Sequence, residues 1–145
     1  MRHYEVTRNA LEEDYKADYE ICEQCPKNDH RRKTLRRRID EKIEHWNENI
    51  PNAESYDFHG MSAKGAARYA IKIMKRVLDK NRDKENSGNF QKALEFTTGH
   101  GTNSDNNISA IQQAMAAEIA KHERRGQYAA KIHTSNPGVV WIFFD

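Results

Sequence analysis

The hydrophobic positions of the first fifty residues recur at the spacing of amphipathic helices. Two such stripes are separated by Pro26, which stands among turn-forming residues, and the second stripe ends before Pro51. Residues 1–51 are therefore predicted to form two helices, which either pair as a hairpin or pack on the chain that follows. The stripes consist of Leu11, Tyr15, Tyr19 and Cys22, and of Leu35, Ile39, Ile43 and Trp46.

Residues 52–145 instead alternate short strand-like segments with longer helical patterns. In the first segment Tyr56 and Phe58 fall on one face of a strand, and Asp57 and His59 fall on the other. Ser62 is predicted to cap the next helix. The order strand, helix, strand, helix, strand, strand predicts an α/β (α+β) two-layer sandwich with a right-handed crossover and a terminal hairpin. The other predicted elements are a loop at 81–89, a strand at 93–98, a helix with Ile108, Ile111, Met115 and Ile119, and strands at 128–133 and 139–144.

Composition limits the chain to one ordinary domain with some helical decoration, because only 37% of its 145 residues are apolar and 32% are charged. No apolar run approaches the roughly 18 residues of a membrane span. The first thirty residues also lack the apolar core of a signal peptide. We therefore expect a cytoplasmic protein that has no membrane partner.

The two cysteines, Cys22 and Cys25, cannot build a disulfide framework, and they fit a reducing compartment. As a Cys-x-x-Cys pair they supply half of a zinc site, which His30 or His45 would have to complete. A zinc ribbon needs a second pair, and the sequence contains none. Because Cys22 also lies on the apolar stripe, packing is the favoured interpretation, and we expect neither a metal nor another cofactor.

Positive charge is concentrated in the second predicted helix. Residues 1–29 hold four basic and eight acidic side chains, whereas residues 30–50 hold seven basic and four acidic ones. Such a basic cluster binds phosphates by displacing counterions. A solvated helix face is the alternative, and both interpretations are open. The cluster consists of Arg31, Arg32, Lys33, Arg36, Arg37 and Arg38.

The first segment with candidate chemistry runs from Tyr56 to Ser62 and leads from a strand through Gly60 into a helix. Asp57 and His59 would lie about 6–7 Å apart along the strand, at the carboxyl end where open α/β sheets bind ligands. Asp57 would orient His59, directly or through water, and His59 would transfer protons near neutral pH. The alternative is a histidine that only hydrogen-bonds to the backbone at a strand end.

The second such segment spans residues 98–104 and again leads from a strand through glycines into a helix. Glycines allow positive φ and close backbone approach, so successive N–H groups can form a phosphate nest at a helix N-terminus. The segment matches neither a dinucleotide fingerprint nor a P-loop, and a simple tight turn is the alternative. Parallel pairing of the two strands would bring both segments to one sheet edge, which suits a phosphodiester. The residues are Thr98, Gly99, His100, Gly101, Thr102, Asn103 and Ser104.

Both segments resemble motifs of the Smr (small MutS-related) domain family. Residues 57–62, Asp-Phe-His-Gly-Met-Ser, are similar to the Leu-Asp-Leu-His-Gly opening of these domains, and residues 98–104 to their Thr-Gly-x-Gly loop. The two motifs stand in the family's order and separation, and the resemblance covers about residues 54–145. It implies a fold like that of the C-terminal domain of a bacterial translation initiation factor.

The resemblance also implies a nucleic-acid endonuclease, because some members nick DNA in recombination or repair and others cleave messenger RNA on stalled ribosomes. The family's Asp-x-His carries over to Asp57 and His59, and its Gly-x-Gly to Gly99 and Gly101. This sequence departs from the family at His100, where relatives are often basic. It departs again at residues 135–138, where Ser-Asn-Pro-Gly replaces a Gly-rich turn.

Residues and resemblance together favour a metal-independent endonuclease that cleaves single-stranded or messenger RNA. His59 would be the base, Asp57 would hold it, and His100 would protonate the leaving oxygen. No residue is assigned to a metal. The residues predicted to contact phosphate are Gly99, Gly101, Thr102, Asn103, Ser104, Arg31, Arg32, Arg36, Arg37, Lys64 and Arg68.

Two alternatives come from other classes. A DNA-nicking enzyme would need a divalent metal, for which Glu54, Asp57 and Asp105 are sparse ligands. A non-catalytic module would only grip RNA or a ribosome; Trp141 and Phe143 are predicted to be core residues and not a stacking site. The N-terminal helices would serve as a lid, a partner-binding arm or a packing extension.

Overall fold

The computed structural model describes residues 2–26, 29–49, 54–83, 91–99, 110–124, 130–136 and 138–144. Contacts divide the chain into two compact units. The first comprises Met1–Pro51 together with Gly60–Ser62, and the second comprises Asn52–His59 together with Ala63–Asp145. The three residues that follow His59 therefore belong with the N-terminal helices, a feature that the sequence pattern does not reveal.

The first unit is built on a helical hairpin, formed by α1 (Arg2–Gln24) and α2 (His30–Glu48), which pack against each other. Asp29 caps α2, because its side chain accepts a hydrogen bond from the backbone N–H of Arg31. Asn49 ends the helix. Of the two predicted arrangements, the structure thus shows the paired one. Its buried apolar side chains are Tyr15, Cys22, Ile39 and Ile43.

Ion pairs link the two helices of the hairpin. The ammonium of Lys42 lies 2.8 Å from one carboxylate oxygen of Asp18 and 3.3 Å from one of Asp14. The hydrogen bond to Asp18 is the main reason why the pKa of Lys42 is raised. Arg38 also approaches Asp18, at 3.9 Å. Part of the basic cluster is therefore paired within the hairpin itself.

The second unit is a mixed α/β unit, as predicted. Its elements follow in the order β1 (Ser55–Asp57), α3 (Ala63–Asp83), β2 (Ala93–Thr97), α4 (Ala110–Arg124), β3 (Ala130–Asn136) and β4 (Val139–Phe144). The strands form one sheet in the spatial order β1-β2-β4-β3. Strands β1 and β2 are parallel, whereas the other two pairs are antiparallel. Helices α3 and α4 pack against each other.

A cluster of aromatic rings lies within the described core of the second unit. Phe58 lies edge-on to Phe96, with ring centroids 4.8 Å apart, and 5.4 Å from Tyr69 of α3. Tyr56 contacts both Tyr69 and Phe96. Tyr56 and Phe58 therefore share the buried face, as the period-two alternation predicts.

The predicted loop at 81–89 begins too early, because α3 continues to Asp83. Asn81 is buried and its side chain serves the backbone of Gln91. Its amide nitrogen donates to the carbonyl of Gln91 at 2.9 Å, and its oxygen accepts from the N–H of Gln91 at 2.8 Å. Asn81, which the sequence pattern places in a loop, thus lies inside a helix and holds the backbone of Gln91 by hydrogen bonds. Residues 84–90 lie outside the described part of the chain.

The prediction that Phe143 is a core residue is wrong. Burial alternates along β4, so that Val140, Ile142 and Phe144 are buried, whereas Trp141 is half-buried and Phe143 is 42% exposed. The rings of Trp141 and Phe143 are nearly parallel, at 15° with centroids 6.3 Å apart. Apolar side chains on both faces hide the period of two, which is why the sequence pattern could not separate the faces.

The remaining boundaries differ little from those predicted. Strand β3 is shifted toward the chain end and includes Asn136, which pairs with Val139. Ile108, predicted to lie in the α4 helix, is outside the described part of the chain. In the described ranges, no helix combines the length and the apolar character that crossing a membrane requires.

Candidate nucleic-acid site

The ends of two parallel strands bring the two predicted segments together. Asp57 is paired with Thr97, and the N–H of Phe58 donates to the carbonyl of Thr97 at 2.8 Å. One residue further on, the ring of His59 lies beside Gly99: a Cβ on this glycine would be 3.6 Å from Cδ2 of His59. The predicted meeting of the segments at one sheet edge is therefore observed for these two residues.

Asp57 fixes His59 through the backbone. The Asp57 side chain is buried, and its Oδ1 accepts the backbone N–H of His59 at 3.0 Å. This local turn, in which an aspartate bonds two residues ahead, holds the chain as it leaves the strand. The side chain of His59 is exposed. The structure thus presents an accessible imidazole on a backbone fixed by a buried carboxylate.

The backbone N–H of Gly99, a predicted phosphate contact, is hydrogen-bonded within the protein. The φ of Gly99, at +83°, is a conformation that favours glycine. Its N–H donates to the carbonyl of Gly138 at 3.3 Å, and the N–H of Thr98 donates to the same oxygen at 2.8 Å. A Gly99 amide turned toward β4 is a poor phosphate donor, so a nest would have to use later amides. The residues His100, Gly101, Thr102, Asn103 and Ser104 lie outside the described part.

The end of β2 is also held by α4. The side-chain amide of Gln112 donates to Oγ1 of Thr98 at 2.8 Å, and this hydroxyl also contacts the carbonyl of Gly138 at 3.3 Å. Both side chains are buried. Buried and mutually bonded polar groups define one geometry, so the strand end that carries Gly99 is rigidly placed.

The segment Gly60–Ser62 is held by hydrogen bonds to the helical hairpin. The hydroxyl of Tyr19 donates to the carbonyl of Gly60. The carboxylate of Asp40 accepts twice from Ser62, from its N–H at 2.8 Å and from its hydroxyl at 2.6 Å. The predicted helix-capping residue Ser62 lies directly before α3. Its hydroxyl donates a hydrogen bond to the Asp40 carboxylate. No spacing pattern in the sequence indicated that Tyr19 and Asp40 contact this segment.

The predicted phosphate-contacting cations are divided between the units. Arg31 is held by Asp29, with nitrogen to oxygen distances of 2.9 and 3.3 Å, and Arg32 donates to the carbonyl of Cys25 at 3.3 Å. The first pair raises the pKa of Arg31 and lowers that of Asp29. Arg31 is exposed in spite of this pair, and so are Arg36 and Arg37 on α2 and Lys64 and Arg68 on α3.

Of the two cysteines, Cys22 is packed in the hairpin, as its place on the apolar stripe predicts. Cys22 is buried in the hairpin, and its Sγ lies 3.7 Å from the carbonyl of Arg32. Cys25 is partly exposed. Within the described ranges, no group of three or more histidine, cysteine, aspartate or glutamate side chains is arranged to hold a metal ion.

Comparison with one solved structure identifies the fold. The solution structure of the B3BP Smr domain is 17% identical and matches with a TM-score of 0.52 over 77% of this chain and 97% of that one. The crystal structure of a human small-MutS related domain is 20% identical, with a TM-score of 0.39 over 61% of this chain and 98% of that one. No protein-family model matches the sequence, and neither does a curated protein. The chain has the fold of an Smr domain.

Proposed function

We propose that the protein is an endonuclease that cleaves single-stranded RNA with His59 as its base. One observation carries this proposal: the exposed ring of His59 lies beside Gly99 at the adjoining ends of two parallel strands. A glycine leaves open the space next to the imidazole that a phosphodiester needs. The buried side chain of Asp57 fixes the backbone of His59 by accepting its N–H.

The chemistry proceeds by intramolecular attack. His59 takes the proton of a ribose 2′-hydroxyl, and the oxygen forms a bond to the adjacent phosphorus. The bond from phosphorus to the 5′-oxygen breaks, and this oxygen receives a proton from His100. The products are a 2′,3′-cyclic phosphate and a 5′-hydroxyl. Amides that follow Gly99 stabilise the charge that develops on the phosphate oxygens.

Exposed cations supply affinity and no base preference. Arg36 and Arg37 on α2, and Lys64 and Arg68 on α3, are accessible to a polyanion. Contacts of this type release counterions, so that binding weakens as salt is raised. We therefore expect cleavage to depend strongly on salt and weakly on sequence.

The test is cleavage of an end-labelled single-stranded RNA in excess EDTA by three proteins: the wild type, His59→Ala and His30→Ala. His30 is an exposed histidine on α2 and serves as the matched control. We expect the wild type and the control to cleave and His59→Ala to lose about 100-fold or more in rate, the range for a general base. Equal cleavage by all three, or nicking of DNA or RNA only with magnesium, would overturn the proposal.

The aromatic pair of β4, half-buried Trp141 and exposed Phe143, favours a second candidate, a module that binds single-stranded RNA without cleaving it. Strand pairing places Trp141 and Phe143 on the same sheet face as Asp57, because Trp141 pairs with Glu95 and Asp57 with Thr97. Base stacking on such rings contributes about 1–3 kcal/mol per base. This candidate is supported if the RNA binds Phe143→Ala more weakly than it binds the wild type. The RNA must also stay intact with or without magnesium.

The matched control for that measurement is Ile21→Ala, which removes an exposed apolar side chain from α1. Fluorescence polarisation with a labelled RNA reports the affinities. Weaker binding by Phe143→Ala, with unchanged binding by Ile21→Ala, assigns the effect to the aromatic pair and not to a general loss of apolar surface.

A further inference from the structure

Basic side chains follow the outer face of α3 along most of its length. Steps of three and four residues return to the same side of a helix, and the residues at six such steps are all exposed. Five of the six are basic, and Asp79 is the one acidic residue among them. With a rise of about 1.5 Å per residue, the set is about 27 Å long. We call it the α3 row, and it consists of Lys64, Arg68, Lys72, Lys75, Asp79 and Arg82.

Positive charge is concentrated in α3 relative to the rest of the chain. Arg76 and Lys80, which are also exposed, flank the α3 row, so the helix holds seven basic and two acidic residues. The whole chain carries a net charge of only +2. Helix α4 packs against α3 and differs from it, because its exposed side chains at 110–122 are four alanines, a glutamine and a lysine. The cationic face is therefore a property of α3 and not of the helix beside it.

We infer that the α3 row binds the phosphate backbone of a nucleic-acid strand, which extends the substrate contact well beyond Lys64 and Arg68. The inference rests on the proposed function for the choice of single-stranded RNA as the ligand. The row begins five residues after His59, in the same compact unit as that histidine. A strand carries its phosphates in a line, and a straight row of cations can neutralise several of them at once.

The other side of α3 argues against a lipid surface as the partner. A helix that lies on a membrane inserts an apolar face into it. The apolar face of α3 is buried in the protein, where Ala70, Ile73 and Met74 have no exposed surface. The part of α3 left for an outside partner is therefore charged and not apolar, which fits the backbone of a polyanion.

The first test measures affinity by fluorescence polarisation over a range of salt concentrations. The probe is a labelled single-stranded 2′-O-methyl oligoribonucleotide, which lacks the attacking hydroxyl and stays intact. Lys75→Gln with Arg82→Gln removes two charges from the α3 row. The matched control, Lys16→Gln with Lys121→Gln, removes two exposed charges from α1 and α4 and leaves the same net charge.

We expect the α3 double variant to bind about tenfold or more weakly than the wild type. Its salt slope should be smaller by about 1.4, because each contact with a single strand contributes about 0.7. The control should keep the affinity of the wild type within about twofold, since charges outside the row make no phosphate contact. Circular dichroism checks that both proteins are folded.

The second test changes the affinity in the opposite direction, which a folding defect cannot imitate. Asp79→Asn leaves the α3 row without a negative charge, so we expect the probe to bind about two- to fivefold more tightly. Glu13→Gln removes an exposed carboxylate from α1 and is the matched control. It should leave the affinity unchanged.

Equal effects of the α3 variants and their controls, or unchanged binding in the α3 variants, overturn the inference. A wild type that ignores the probe, or that prefers vesicles of anionic phospholipid through the same two cations, overturns it too. If the wild type binds the probe through the α3 row but cleaves no RNA, the inference stands and the proposed function fails.

Discussion

Replacing Gly60 by alanine tests the packing of the segment Gly60–Ser62 against the helical hairpin most sharply. The new Cβ would lie 2.7 Å from the hydroxyl oxygen of Tyr15 and 3.3 Å from its Cζ. Tyr15 is only 6% exposed and packs edge-on against Tyr19 at 5.6 Å, so its ring has little freedom to move away. Gly99→Ala is the natural comparison, because its φ is also positive but its nearest contact is an ordinary 3.6 Å.

The magnitudes follow from these distances. A positive φ costs a non-glycine residue about 1–3 kcal/mol, which both variants incur. Overpacking adds about 1–3 kcal/mol, which only Gly60→Ala incurs. We therefore expect Gly60→Ala to lower the free energy of unfolding by about 1–3 kcal/mol more than Gly99→Ala does. In a Tyr15→Phe background the hydroxyl is gone, and most of this difference should disappear.

Urea unfolding followed by circular dichroism measures the four proteins: Gly60→Ala, Gly99→Ala, Tyr15→Phe and the double variant of Gly60 and Tyr15. The interaction free energy of the double-mutant cycle isolates the overlap with the hydroxyl. Equal destabilisation by the two glycine variants, or an additive cycle, would refute the account of the Gly60 contact.

Three further outcomes are expected. Asn81→Ala should lower the free energy of unfolding by about 1–3 kcal/mol, because it leaves backbone groups of Gln91 without their partner; thermal unfolding measures this. Burial raises the pKa of Tyr19 above 10.0, so stability should be intact below about pH 10 and fall above it, and Tyr19→Phe should remove that part of the fall. Arg37→Ala should reduce the salt slope of RNA binding by about 1, whereas Lys121→Ala on α4 should not.

Helix and strand types were predictable because burial imposes a period on the sequence. The stripes of α1 and α2 and the alternation at Tyr56 and Phe58 each follow from one apolar face. Prediction from the hydrophobic pattern fails at Asn81, because its side-chain amide hydrogen-bonds to the backbone of Gln91 and does not break the helix. Phe143 shows the converse, because the sequence does not distinguish an apolar residue on an exposed sheet face from one in the core.

The candidate site was only partly predictable for a related reason. Parallel pairing explains why His59 and Gly99 adjoin, since both follow strands whose carboxyl ends meet. The direction of the Gly99 amide toward Gly138 depends on the turn before β4. The hydrogen bonds of Tyr19 with Gly60 and of Asp40 with Ser62 join residues that are 41 and 22 positions apart, which no local pattern records.

The central claim, that cleavage proceeds by attack of a ribose 2′-hydroxyl, is tested most directly with a pair of substrates in EDTA. One is a single-stranded RNA whose cleavage position has been mapped, and the other carries a single 2′-deoxyribose on the 5′ side of that position. The account predicts that the wild type cleaves the first to a 2′,3′-cyclic phosphate and leaves the second intact at that position. Cleavage of both substrates at the same position and rate would contradict it.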